Sequence, residues 1–216
     1  MNVQQAYDVW ADSYDTVVNP TRDLEGRALR ETLSQRVIQN HPLTVAAMTI
    51  LEIGCGTGKN TEWLLTQAEH LVATDFSEEM LAHAKSKITA PNVVFQQMDM
   101  REKWAFADAQ FDLIACSLAL EHIENIDFVF QEARRVLKKS GRFYLGELHP
   151  FKQYQGSKAR FDTESGVFVL DCFVHNTSDF FQAGVQNGFH CCDINEWFDG
   201  DNRTIIPRIL TMVFSY

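Results

Sequence analysis

The segment Thr49-Ile50-Leu51-Glu52-Ile53-Gly54-Cys55-Gly56-Thr57-Gly58-Lys59-Asn60 places three glycines at alternate positions directly after an apolar, β-branched run. Such a run predicts a buried strand, and the residues that follow the glycines are compatible with a helix. Glycine lets the backbone of the turn adopt positive φ and leaves no Cβ between the main chain and a ligand. Because a helix N-terminus also presents free N–H groups, the segment predicts a site for a nucleotide-like ligand.

The spacing of the glycines differs from that of the usual dinucleotide-binding fingerprint. That fingerprint would place its third glycine at position 59, where this chain has Lys59, and the third glycine here is Gly58. The spacing therefore argues against a nicotinamide-dependent oxidoreductase, although this class of enzyme remains an alternative.

Length and composition predict one globular domain. The 216 residues can bury a substantial core. The formal net charge is −10, and no cluster of Lys and Arg suggests a nucleic-acid or anionic-membrane partner. The N-terminus lacks a signal-peptide pattern, and no apolar run is long enough to span a bilayer. The five cysteines show no metal-finger spacing, so we expect a cytoplasmic protein with reduced thiols.

From Leu51 onward, strands and helices alternate, which predicts a parallel sheet covered by helices on both faces. The expected strands cover residues 48–53, 70–74, 92–96, 111–116 and 141–148, followed by two closing strands at 189–195 and 209–216. Two helical segments, 3–18 and 21–40, are expected to cap the ligand cleft. An insertion at 150–176, rich in aromatic residues, is expected to form a lid over the acceptor.

The run Leu51-Glu52-Ile53-Gly54-Cys55-Gly56-Thr57-Gly58 resembles motif I of the class I S-adenosylmethionine-dependent methyltransferases, in which an acidic residue precedes Gly-x-Gly-x-Gly. The resemblance extends over nearly the whole chain and implies one domain over residues 1–216. It implies an α/β, Rossmann-like fold with a seven-stranded, mostly parallel sheet and an antiparallel last strand. S-adenosylmethionine is the implied cofactor, contacted by Gly54, Cys55, Gly56 and Gly58.

Two further motifs carry the adenosine part of the resemblance. Asp75-Phe76 ends the second strand about 20 residues after the glycines, where a carboxylate can accept hydrogen bonds from a ribose diol. The resemblance assigns Asp75 to the ribose and Phe76 to the adenine face. It also assigns Met98, Asp99 and Met100, after the third strand, to the adenine. A capping or turn role for the two aspartates and a core role for the apolar residues are the alternatives.

The methionine side of the cofactor is expected near the fourth strand. The segment from Phe111 to His122 resembles the family's motif there, and it faces the glycine loop across the topological switch point. The residues expected to line this side are Cys116, Ser117 and Leu118, with Cys116 interpreted as an inert buried thiol. In the N-terminal segment, Tyr14 is expected to close over the amino-acid end of the cofactor.

Two histidines are candidate general bases, because imidazole exchanges protons near neutral pH. His149 follows the fifth strand, and His122 follows the fourth. A capping or surface role is the alternative for each. No metal site is predicted, although His, Cys and Asp side chains cluster in the C-terminal part, because adjacent strand residues point to opposite faces.

The sequence thus predicts transfer of a methyl group to a small molecule by in-line displacement, in a monomer or homodimer. Ser117-Leu118-Ala119-Leu120 stands where the family's Asn-Pro-Pro-Tyr type of motif would mark nucleic-acid bases or glutamine as acceptors. Two alternatives besides the oxidoreductase remain open. One is a non-catalytic S-adenosylmethionine-binding subunit, and the other is the same fold using a modified cofactor for a different group transfer.

Gly56→Val is expected to abolish binding of S-adenosylhomocysteine. A β-branched side chain resists positive φ and would project its Cβ toward the ligand. Calorimetric titration of the variant is the measurement, and normal binding by a folded variant would mean that the loop is only a structural turn.

Overall fold

The computed structural model describes residues 1–38, 48–163 and 166–216. The strands in these ranges are Thr49–Ile53 (β1), His70–Asp75 (β2), Val93–Gln97 (β3), Phe111–Ser117 (β4), Leu137–Leu148 (β5), Arg160–Thr163 (β6), Gly166–Val169 (β7), His190–Trp197 (β8) and Ile209–Ser215 (β9). The α-helices are Val3–Tyr14 (α1), Pro20–Thr32 (α2), Thr61–Leu65 (α3), Glu78–Lys87 (α4), Ile126–Val136 (α5), Pro150–Tyr154 (α6) and Thr177–Gln186 (α7). A π-helical turn covers Leu33–Ile38, and a 3-10 turn covers Leu120–His122.

Seven strands form one sheet in the order β3-β2-β1-β4-β5-β9-β8, and β6 and β7 form a separate hairpin. Strands β1 to β5 run parallel. Strand β9 runs antiparallel between β5 and β8. The strand order reverses between β1 and β4, which is the switch point at which open α/β sheets bind ligands. The predicted fold class is confirmed.

Apolar residues on both faces of the central strands explain this architecture. One face of the sheet packs against α5 and α7, with Phe130 and Ala183 in the same buried cluster as Leu51. The other face packs against the end of α2 and α3, with Leu29 and Leu64 beside Ile50. Because neighbouring residues of a strand point to opposite faces, the continuous apolar run of β1 supplies both layers.

The boundaries of the N-terminal helices differ from those predicted. Helix α1 ends at Tyr14 instead of residue 18, and α2 begins at Pro20. The Asn19 side chain accepts hydrogen bonds from the backbone N–H groups of Thr21 and Arg22, at 3.0 and 3.1 Å, which caps α2. The predicted end of this helix at residue 40 lies outside the described residues.

The insertion after β5 folds into α6 and the β6–β7 hairpin. The hairpin packs on α1, where the Phe161 ring stacks on Trp10 with centroids 5.1 Å apart. Leu170, just after the hairpin, is buried in the same cluster, which also contains Met80 of α4. The insertion therefore supports the N-terminal helix from outside.

No helix in the described part of the chain is long and apolar enough to cross a membrane. The cytoplasmic location and the monomeric or homodimeric state stay predictions.

Gly184→Ala is expected to destabilise the fold by about 1–3 kcal/mol, as overpacking does. A Cβ at this position of α7 would overlap the Phe214 ring, lying 2.8 Å from its Cδ1. Urea denaturation measures the effect. Val185→Ala, an exposed position in the same helix, is the control and should change stability by less than about 0.5 kcal/mol. Equal stabilities for the two variants would contradict this account of the α7 contact.

Candidate functional site

A cleft lies at the carboxyl ends of β1, β2 and β4, with side chains of α1 and α2 forming part of its wall. It contains about 1010 Å³ of empty space, including its open mouth. The lining residues that the sequence had indicated are Tyr14, Gly54, Cys55, Gly56, Asp75, Phe76, Asp99, Met100, Ser117, Leu118 and His122. Most of the predicted site is therefore brought together in one place.

The glycine loop has the conformation that its sequence predicts. Gly54 and Gly56 have φ values of +71° and +54°. A Cβ on Gly54 would lie 2.9 Å from the Cβ of Ala119, whereas at Gly56 the nearest atom is Tyr14 Cε1 at 4.0 Å. Gly54 is thus required for packing, and Gly56 leaves space for a ligand beneath Tyr14.

Asp75 ties the end of β2 to the glycine loop. Its Oδ2 accepts a hydrogen bond from the Gly56 N–H at 2.8 Å, and its Oδ1 accepts one from the Ser77 N–H at 2.9 Å. Burial raises the pKa of Asp75 to about 6. An ionised carboxylate has about four lone-pair sites, so it can accept further hydrogen bonds from a ligand diol.

At the end of β3, Asp99 and Met100 line the cleft and Met98 does not. Met98 packs against the hydrophobic core, as Met100 also does, and its expected contact with adenine stays a prediction. Hydrogen bonds from Arg101, at 2.6 to 3.1 Å, hold the Asp99 carboxylate and lower its pKa. The adenine role of Asp99 stays a prediction.

Tyr14 is held over the glycine loop by Arg22. The Arg22 guanidinium carbon lies 3.9 Å from the Tyr14 ring centroid, and Nη1 donates a hydrogen bond to the Tyr14 carbonyl at 2.6 Å. Burial raises the pKa of Tyr14 to about 12, so its hydroxyl stays protonated. The Arg22 contact fixes the aromatic cover of the site.

Besides Met98, two predicted cofactor residues do not line the cleft. Gly58 has φ +89°, and a Cβ there would lie 2.8 Å from Ile88 Cδ1, so this glycine lets the loop pack on the end of α4. Cys116 is fully buried among core side chains, and burial raises the pKa of its thiol well above the usual value. Gly58 faces α4 and the Cys116 side chain lies in the core, and their expected cofactor contacts stay predictions.

His149 has a structural role outside the cleft, and its expected catalytic role stays a prediction. It is the N-cap of α6, where its Nδ1 accepts a hydrogen bond from the Phe151 N–H at 3.2 Å. Its Nε2 faces Glu196 Oε1 at 3.2 Å, and the residue does not line the cleft. Burial lowers the pKa of His149.

The expected acceptor wall in the insertion is also absent from the cleft. Phe161 packs on Trp10, and Tyr154 is 61% exposed with its hydroxyl on Asn176. Neither residue lines the cleft. The insertion contributes to the site by supporting α1.

The second histidine candidate does reach the cleft. His122 Nε2 lies 2.9 Å from the Tyr7 hydroxyl, and Nδ1 lies 3.3 Å from the Asp171 carbonyl oxygen. A carbonyl only accepts, so Nδ1 carries the proton and Nε2 accepts from Tyr7. Burial raises the pKa of Tyr7, which keeps its hydroxyl a donor. Glu121 Oε1 lies 3.9 Å from Nε2.

Sequence reasoning missed several residues of the cleft, above all Tyr7, Arg22, Glu25 and Glu52. Glu52 belongs to the glycine motif itself, and the acidic position of that motif could have indicated it. The other three come from α1 and α2, and no local pattern marks which of their polar side chains face inward.

No group of three or more His, Cys, Asp or Glu side chains in the described ranges could hold a metal ion.

Comparisons with known proteins agree with this geometry. Residues 51–145 match the family model described as a methyltransferase domain. The chain is 28% identical over 189 residues to the biotin biosynthesis bifunctional protein BioHC of Cellvibrio japonicus, covering 88% of this chain and 35% of that protein. It is 37% identical over 100 residues to the malonyl-[acyl-carrier protein] O-methyltransferase of Bacillus anthracis, covering 45% of this chain and 35% of that protein. The matches span about a third of each relative.

Among solved structures, the DhpI–SAM–HEP complex has a TM-score of 0.75 at 21% identity, covering 98% of this chain and 95% of that one. The methyltransferase-domain match over residues 51–145 and the shared fold agree with the predicted resemblance to the class I S-adenosylmethionine-dependent methyltransferases. The predicted family and its cofactor, S-adenosylmethionine, are confirmed, and the nicotinamide alternative is not favoured.

The residues of the cleft fit this cofactor. The space left open at Gly56 admits a ligand close to the backbone, and Asp75 can accept from a diol. Glu25 and Glu52 supply buried carboxylates that suit a positively charged ligand.

Asp75→Ala is expected to lower the affinity for S-adenosylhomocysteine about ten- to a hundredfold, because a hydrogen bond to a charged group is lost. Calorimetric titration is the measurement, with thermal unfolding to check the fold. Since the Asp75 pKa is raised to about 6, wild-type affinity should fall as the pH drops through 6 and the carboxylate becomes protonated. The variant should lack this step, and unchanged affinity would remove Asp75 from the site.

Proposed function

We propose that the protein transfers the methyl group of S-adenosylmethionine to a hydroxyl or carboxyl oxygen of a small molecule held in the same cleft. The observation that carries this proposal is the Tyr7–His122 pair, which lines the cleft together with the glycine loop. Three of the relatives in the comparisons are O-methyltransferases by name. The net charge of −10 favours a small molecule over a nucleic acid.

When bound, the cofactor supplies a methyl group on a positively charged sulfur, which is already activated for transfer. The protein must therefore align the acceptor with that methyl group and exclude water. Tyr14, held by Arg22, covers the glycine loop and serves both purposes.

His122 is proposed as the general base for the acceptor. The Asp171 carbonyl fixes the hydrogen on Nδ1, which leaves the Nε2 lone pair directed at Tyr7. An acceptor hydroxyl that replaces the Tyr7 hydroxyl would give its proton to Nε2. The Glu121 carboxylate, 3.9 Å from Nε2, would stabilise the resulting imidazolium.

Tyr7 is proposed as a positioning residue. Its ring packs edge-on to both His122 and Phe76, with centroids 5.4 and 6.2 Å apart. It therefore joins the base to the side of the cleft at which the adenine face of the cofactor is expected.

With a hydroxyl acceptor, His122→Gln is expected to lower kcat about a hundredfold or more while leaving cofactor affinity nearly unchanged, because it removes the proton acceptor. A carboxyl acceptor is already ionised at neutral pH, so its rate should change little. A screen of hydroxyl- and carboxyl-bearing metabolites with radiolabelled S-adenosylmethionine identifies the acceptor, and single-turnover rates then measure the chemical step.

His149→Asn is the matched control, because asparagine retains a side chain that can cap α6. Its single-turnover rate should stay close to that of the wild type. A large loss in this variant, with full activity in His122→Gln, would contradict the assignment of the base.

A further inference from the structure

We propose that the carboxylate of Glu25 makes the cleft select the positively charged sulfonium form of the cofactor over the neutral thioether that remains after methyl transfer. This inference rests on the proposed function and goes beyond it, because it assigns to one residue the difference in affinity that lets the spent cofactor leave.

Glu25 is fixed at the carboxyl ends of the central strands. The residue is 1% exposed, and its Oε1 accepts hydrogen bonds from Ser117 Oγ at 2.7 Å and from the Tyr144 hydroxyl at 3.1 Å. Its Oε2 accepts one from Asn60 Nδ2 at 2.8 Å. All three donors are neutral, so they orient the carboxylate without cancelling its charge.

The backbone of β5 leaves room for this carboxylate. A Cβ on Gly146 would overlap Glu25 Oε1 and would lie 2.6 Å from the Tyr144 hydroxyl. Ser117, which ends β4, is expected on the methionine side of the cofactor. The charge of Glu25 therefore lies toward the reactive end of the cleft and away from Asp75, the residue assigned to the ribose.

Each cation that lines the cleft is engaged elsewhere. Arg22 donates to the Tyr14 and Val17 carbonyls, Lys59 pairs with Asp23, and Arg101 pairs with Asp99. The described residues thus provide no ion pair for Glu25.

Glu52 adds a second buried carboxylate nearby. Its Oε2 accepts a hydrogen bond from Thr61 Oγ1 at 2.6 Å, and its charge interacts unfavourably with those of Glu25 and Asp75. A buried charge without a counter-ion is costly, so a positively charged ligand would relieve this repulsion. A neutral sulfur at the same place would not.

The same arrangement also affects the protonation of Glu25 and Glu52. Burial raises the pKa of Glu25 and raises that of Glu52 to about 8, so Glu52 is largely protonated in the free protein at neutral pH. The charged groups that act on this pair are Asp75, Glu147 and Arg30, and only Arg30 favours the ionised form of Glu25. A sulfonium favours ionised carboxylates, so its binding should release protons and strengthen as the pH rises from 6 to 9.

Calorimetric titration of Glu25→Gln tests the proposal. The ligands are S-adenosylmethionine, S-adenosylhomocysteine, and sinefungin, an analogue that carries an amine where the cofactor carries its methylated sulfur. The variant should lose about ten- to a hundredfold in affinity for the two ligands that are charged at this position, because a charge-assisted contact is removed. Its affinity for S-adenosylhomocysteine should change little.

The variant retains hydrogen-bonding partners for its fold. The new amide keeps an oxygen for Ser117 and Tyr144, and Asn60 Oδ1, which is buried without a partner, can accept from the new N–H group after an amide flip. Glu147→Gln is the matched control, since this carboxylate is equally buried but lies outside the cleft, where it accepts from the Ala119 and Leu120 N–H groups. Because Glu147 acts on Glu25 only through space, the control should change the ratio of the affinities much less than Glu25→Gln does.

Equal losses for S-adenosylmethionine and S-adenosylhomocysteine in Glu25→Gln would mean that Glu25 binds the amino group common to both, and would overturn the proposal. Unchanged affinities would also overturn it.

Should the variant fail to fold, the wild-type protein tests the proposal. It is titrated with each ligand at pH 7 in two buffers of different ionisation enthalpy, which gives the number of protons released on binding. Greater proton release with S-adenosylmethionine supports the proposal, and equal release overturns it. A protein that selects S-adenosylmethionine over S-adenosylhomocysteine as expected, but methylates no acceptor, would contradict only the proposed function.

Discussion

A buried carboxylate on α2 joins the N-terminal helices to the sheet. Glu25 accepts hydrogen bonds from Ser117 on β4, from Tyr144 on β5 and from Asn60 at the start of α3. Burying a charge is costly unless hydrogen bonds and opposite charge compensate for it. The three donors provide part of this compensation, and a positively charged ligand can provide the rest. The position of α2 and the occupancy of the cleft are therefore coupled.

Helix α1 depends on two neighbouring elements in a similar way. The Ser77 hydroxyl donates to Asp8 at 2.6 Å, which joins α1 to α4, and Trp10 stacks on Phe161 of the β6–β7 hairpin. Tyr7 lies on this helix and contacts His122. A displacement of α1 would thus uncover the cleft and separate Tyr7 from the proposed base at the same time. The cover of the cleft and the contact of Tyr7 with the proposed base therefore both depend on the position of α1.

The cofactor half and the acceptor half of the cleft have different origins in the chain. The cofactor half is built from the ends of β1, β2 and β3, where backbone geometry leaves little freedom. The proposed acceptor half uses side chains from α1 and from the turn after β4, including Tyr7 and His122. A fold shared at 21% identity with the DhpI complex does not by itself identify the acceptor.

The sequence by itself determined the features that depend on neighbouring residues. The order of strands and helices, the turn at Gly54 and Gly56, the Ser77 cap of α4 and the place of Asp75 at the end of β2 all follow from backbone preferences over a few residues. The strand that ends at residue 148 was also predicted, but its start at Leu137 was missed because a bulge against β4 separates its first residue from the rest.

Only the tertiary structure decided which polar side chains meet. Tyr7 and His122 are 115 residues apart in the chain, and Glu25 and Ser117 are 92 apart. His149 has the residue type of a base, yet its contact with Glu196, 47 residues away, and its cap of α6 keep it outside the cleft. Backbone conformation is set locally and can be inferred from sequence patterns, whereas side-chain contacts across the fold depend on how distant elements pack.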